Sequence, residues 1–144
     1  MLSMKITNVL AGLLGGSATC LAVGDLFLYG ENLVPAILVA ITAIAVIVLV
    51  PLSVLVYRRN LVAVDVSTIL GIVAPLISLS TPSHVAVLLS FGENLLLSVL
   101  GALQFFGFYL FPISYVIVRL AYRKRIQDLT SRMESRTKTD ANRN

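Results

Sequence analysis

Apolar positions fall into four long stretches, each closed by a short polar or charged segment. Ile6 to Leu28 is broken only by Asp25 near its far end, and Leu33 to Tyr57 carries no charge before Arg58. Val66 to Ser90 contains Pro82 and His84, and Leu95 to Val118 is uncharged until Arg119. A hydrocarbon core about 30 Å thick needs roughly 20 mostly apolar residues in helical form. Helix is imposed there, because an exposed strand edge would leave backbone groups unpaired in lipid. The pattern predicts an all-α integral membrane protein with four transmembrane helices, over 6–28, 33–57, 66–90 and 95–118.

The second half echoes the first. Tyr29-Gly30-Glu31-Asn32-Leu33-Val34 returns as Phe91-Gly92-Glu93-Asn94-Leu95-Leu96, and Pro51-Leu52-Ser53 returns as Pro112-Ile113-Ser114. The expected architecture is therefore two tandem pseudo-symmetric helical hairpins, repeats 6–59 and 66–122, within one transmembrane domain spanning 1–122. In the third span, Ser80-Thr81-Pro82-Ser83 reads either as a loop or as a kink. A continuous kinked helix preserves the equivalence with the first span, and hydroxyl side chains can satisfy carbonyls freed by proline. The kink is the favoured reading.

Charge sets the orientation. With four spans, all eleven basic residues fall on the side of the termini and the middle loop. Arg58, Arg59, Arg119, Arg123, Lys124 and Arg125 form its membrane-surface cluster, whereas the opposite side carries Asp25, Glu31 and Glu93. Positive residues remain cytoplasmic, which predicts a multi-pass plasma-membrane protein with both termini inside and both Gly-Glu-Asn turns outside. Residues 123–144 read as a basic cytoplasmic tail, helical and then disordered, either solvated or drawn to anionic lipid. Lys5 ahead of an apolar run resembles a signal flank, but the run exceeds a signal h-region and a retained helix is expected.

Composition agrees with lipid as the solvent. The chain is 58% hydrophobic and 12% charged, where soluble domains are about half apolar and a quarter charged. A net charge of +4 does not indicate nucleic acid, because the basic residues gather at membrane edges. Cys20 is the single cysteine, so an intrachain disulfide is impossible.

Four acidic or imidazole groups are candidates for an ion or proton site: Asp25, Glu31, His84 and Glu93. Asp25 lies inside a span, where ionisable groups face protein or water by default, although near an interface it can instead snorkel to the headgroups. His84 either pairs with it or is an ordinary outer-end histidine. Glu31 and Glu93 either form an acidic mouth or simply face water, while Gly30, Gly92, Asn32 and Asn94 cap the helices. Gly12, Gly15 and Gly16, with Ser98 and Gly101, are candidate helix-packing positions. No HExxH, cysteine pair or phosphate loop occurs, and no Ser/His/Asp set is placed for attack, so neither catalysis nor a cofactor is expected. The leading expectation is a non-catalytic subunit or scaffold, bound to other membrane proteins or to itself. A small ion channel or ion-coupled transporter with an acidic outer mouth is the alternative.

Overall fold

A computed structural model describes residues 4–30 and 35–123. Glu31, Lys124, Arg125 and the tail beyond them lie outside the described residues. The fold is helical, with four helices long and apolar enough to cross a bilayer. Helix α1 covers Met4–Gly30, α2 Ala36–Tyr57 and α3 Leu61–Ser80, and a short α4 covers Pro82–Leu89. The last crossing, Leu95–Arg123, comprises α5 (Leu95–Gln104), a wider π-helical segment (Phe105–Leu110) and α6 (111–123).

The third crossing departs from the favoured kink. Thr81 is extended, with φ −100° and ψ 108°, and separates α3 from α4. Two local forces produce the break. The residue before proline is pushed out of the helical region, and Pro82 has no N–H to continue the ladder. The Thr81 N–H bonds the Ser78 carbonyl instead, at 3.2 Å, and the Thr81 hydroxyl bonds the Ile77 carbonyl at 2.9 Å. The crossing also starts earlier than expected, at Leu61 rather than at residue 66. Asp65 is tolerated inside it because its carboxylate is 68% exposed and meets Arg119 at 3.1 Å. At about 1.5 Å per residue, the 20 residues of α3 then span about 30 Å without help from α4.

The turns follow local chemistry. Arg59 has φ 64° and ends α2 in a Schellman arrangement: its N–H bonds Val56 O, and the Asn60 N–H bonds Leu55 O. Asn60 then caps α3 by accepting from Ala63 N. At the opposite end Gly92 takes φ 96°, which a side chain would resist, and Asn94 caps α5 by accepting from Leu97 N at 2.8 Å. Glu93 is exposed on this turn. The cap expected of Asn94 is thus present, whereas Gly92 lies two residues beyond the C-cap Ser90 and turns the chain, its N–H bonding Ser98 Oγ rather than a carbonyl of α4.

All four crossings converge at the end bearing Arg58 and Arg59. Leu10, Ala11 and Leu14 of α1 pack there with Val56, Ala63, Val64 and Tyr115. Tyr115 is fully buried, and its hydroxyl donates to the Val64 carbonyl at 3.2 Å. Away from this knot α1 stays against α2 and the last crossing, while α2 and α3 part.

Candidate functional site

The parting of α2 and α3 leaves a cavity of about 320 Å³ between all four crossings. Its deep wall is built from buried Leu14, Ser17 and Leu21 of α1, Gly71 of α3, and Gly107. Its rim includes Ile41 and Val48 of α2 and Val73 and Ile77 of α3, all of them exposed. The opening therefore lies between α2 and α3 and faces the surroundings of the helices, which in a bilayer are hydrocarbon.

A polar cluster closes the end of the cavity where α3 breaks. Ser78 is its hub and is fully buried. Its oxygen accepts from the Tyr109 hydroxyl at 3.0 Å and from Gln104 Nε2 at 3.5 Å. It also meets His84 Nδ1 at 3.3 Å, a bond whose direction follows the imidazole tautomer. Gln104 also donates to the His84 backbone carbonyl at 3.0 Å, which ties α4 to α5. The imidazole lies against Phe108, with ring centroids 5.1 Å apart. Sequence reasoning singled out His84 but missed Ser78, Gln104 and Tyr109 as its partners. The signal was present as polar residues within apolar runs, which must find one another in lipid.

Behind this cluster a second cavity of about 20 Å³, enough for one water molecule, is lined by Asp25, His84, Thr42, Gln104 and Cys20 among others. Asp25 Oδ2 is buried and has no hydrogen-bond partner among the described residues. Thr42, from α2, is the hydroxyl that faces the Asp25 side chain. Leu21, Thr42, His84 and Phe108 line both cavities, so the two lie side by side with these residues between them. The structure brings Asp25 and His84 to one cavity without a direct ion pair between them. Glu93 sits apart on the exposed α4–α5 turn, and Glu31 lies outside the described residues. Among the described residues, no group of three or more His, Cys, Asp or Glu side chains is placed to hold a metal.

The packing candidates divide. A Cβ on Gly16 would meet the Phe111 ring at 3.2 Å, and one on Gly101 would meet Phe91 at 3.2 Å, so both mark close contacts. Gly15 faces Ser53 at 3.6 Å, and the Ser53 hydroxyl crosses to the Ala11 carbonyl at 2.9 Å. Gly12 differs, because it faces open space and marks no internal contact. Ser98 serves the turn rather than a helix interface, accepting from Gly92 N and donating to the Asn94 carbonyl. Two glycines with tighter contacts were not singled out. Gly71 abuts the Pro112 carbonyl, and Gly107 abuts Leu21. Comparison with protein-family models, curated proteins and solved structures finds no match.

Proposed function

We propose that the protein is a non-catalytic, multi-pass component of a larger membrane assembly, held in the plasma membrane with both termini cytoplasmic. In this reading its two halves are duplicated hairpins. The observation that carries it is the state of α2. It is the most apolar crossing, yet only Thr42 and Val56 are buried within it. Ala36, Ala40 and Ala43 are exposed at spacings of four and three, which gives a shallow strip where a second helix can approach closely. Extraction from native membranes in a mild detergent should yield a complex larger than the chain itself, and Ala40→Trp should break it. Recovery of monomer alone under those conditions would defeat the reading.

A second reading, a small ion-coupled transporter, is favoured by one specific arrangement. Asp25 and His84, from different halves of the chain, line one water-sized cavity that adjoins the larger one. Uptake into liposomes that is abolished by Asp25→Asn would support it.

A further inference from the structure

The large cavity is a slot that runs along the helices and is shut at one end. Its lining extends from Leu38 to Leu49 on α2 and from Ser67 to Thr81 on α3, about 16 Å and about 20 Å of helix. At the end bearing Arg58 and Arg59 it stops where Leu13 and Leu49 pack onto the buried knot. Toward the α4 end, exposed Ile41, Val73 and Ile77 leave it open to the hydrocarbon of the bilayer.

Few fillings suit this slot. Left empty, a void of about 320 Å³ deprives its walls of contact partners. Water is a poor occupant, because each buried molecule needs roughly two to four polar partners. The hydroxyls of Ser17, Thr42, Thr81 and Tyr115 already donate to backbone carbonyls, and Ser67 Oγ has no accessible surface. A protein helix about 10 Å across would need several times this volume over the same length. No Lys or Arg lines the cavity, so a phosphate headgroup stays outside it. One hydrocarbon chain remains: at about 30 Å³ for a water-sized group, the slot holds roughly ten methylenes.

We infer that the cavity is a lipid-chain site, occupied by one acyl chain of a bilayer phospholipid. The chain enters between α2 and α3 from the leaflet on the α4 side, and its headgroup stays at the bilayer surface. Its terminal methyl group reaches toward Leu13, Leu49 and Leu70, which line the cavity and are half-buried. Bilayer chains lie along the membrane normal, as the slot does, so entry requires little reorientation. The bound chain supplies contact between α2 and α3 where the two helices part.

The test places the full chain, with no other protein, in nanodiscs of phosphatidylcholine that carries a diazirine near the methyl end of one acyl chain. Failure of the subunit reading therefore leaves its result untouched. After irradiation, adducts should map to Leu13, Leu49 or Leu70 as well as to the exposed Ile44 and Ile47. Ala45→Phe, which puts a ring into the cavity, should abolish the adducts at Leu13, Leu49 and Leu70 and leave Ile47 labelled as before. Excess unlabelled dodecanoic acid should leave the cavity adducts of the unaltered chain in place. Adducts confined to exposed residues would overturn the proposal without reliance on any variant. Cavity adducts that survive Ala45→Phe would overturn it too. So would their displacement by dodecanoic acid, which would make a free fatty acid the occupant.

Discussion

Ser17 on α1 donates its hydroxyl to the backbone carbonyl of Gly107 at 2.6 Å, a buried bond between residues 90 apart in sequence. The bond depends on the π-helical widening over Phe105–Leu110, which disturbs the regular carbonyl ladder and presents an acceptor to a neighbouring helix. Gly107 is required at the same point, because a Cβ there would come within 2.8 Å of Leu21 Cδ2 and 3.1 Å of its Cγ. Ser17→Ala should lower stability by about 1 kcal/mol, the usual worth of one such bond. Gly107→Ala should cost more, about 1–3 kcal/mol, since it forces the buried Leu21 off its position. Unfolding of both variants by a denaturing detergent, monitored by circular dichroism, measures the order. Equal stability of the two variants would count against the close approach.

Two other glycines should respond in opposite directions. A Cβ on Gly71 would meet the Pro112 backbone oxygen and Val116 Cγ2, each at 3.0 Å, where α3 presses on α6. A backbone atom cannot rotate aside, so Gly71→Ala should destabilise by about 1–3 kcal/mol. Gly12 meets nothing within 4 Å. There the lower entropy cost of alanine prevails, and Gly12→Ala should be neutral or stabilising by up to about 1 kcal/mol. The same detergent unfolding assay separates them.

That contrast shows how far the chain could be read. Length and hydropathy suffice to place four crossings, because lipid permits few alternatives to helix. The turn at Gly92-Glu93-Asn94 is legible too, since its φ of 96° and its side-chain cap are local properties of those residues. The ranking of glycines was not. Gly12 and Gly16 share a face by periodicity, but which of them touches Phe111 depends on how α1 crosses the last helix. The fate of the third crossing turned on Asp65. Its charge argues for a later start, yet Asn60 caps the helix through Ala63 N and begins it at Leu61, with the Asp65 carboxylate still exposed. Once α3 reaches across alone, nothing forces Thr81 to remain helical. Asp25 and His84 were visible as isolated polar groups, but the cavity they share is a product of tertiary packing.

The ion pair between Asp65 and Arg119 should contribute little by itself. With the carboxylate 68% exposed, solvent screens the interaction, and Asp65→Asn should change stability by less than about 1 kcal/mol. A larger loss in the unfolding assay would mean that the pair fixes the register of α3 against α6.

Membrane orientation can be settled by thiol labelling. Cys20 is the only cysteine, so Cys20→Ser gives a clean background into which single cysteines can be placed. Asn60→Cys lies beside Arg58 and Arg59, and Glu93→Cys lies on the α4–α5 turn; both positions are exposed. The excess of positive charge at the first end predicts that it faces the cytoplasm. An impermeant maleimide applied to intact cells should therefore label the cysteine at 93 and spare the one at 60. The reverse pattern would invert the protein, and labelling of both would contradict the crossing order of α3 and α4.

The attachment of α4 is the most exposed consequence of the broken third crossing. This helix has only eight residues and none of them is buried, so it cannot hold itself in place. Its described polar ties to the bundle are the Gln104 bond to the His84 carbonyl and the Ser78 contact with His84 Nδ1. Gln104→Leu removes the first bond, keeps the volume and leaves a part-buried carbonyl with one donor fewer, a loss of about 1 kcal/mol. Tyr109→Phe removes only a donor to Ser78, which keeps its contact with His84, and the cost should be about 1 kcal/mol or less. Backbone hydrogen exchange resolves the two. Gln104→Leu should accelerate exchange over Pro82–Leu89 while α1 stays protected, and Tyr109→Phe should leave α4 close to its original rate. If Gln104→Leu instead loosens α1 and α4 together, α4 is an integral part of the core rather than a segment pinned by two polar contacts.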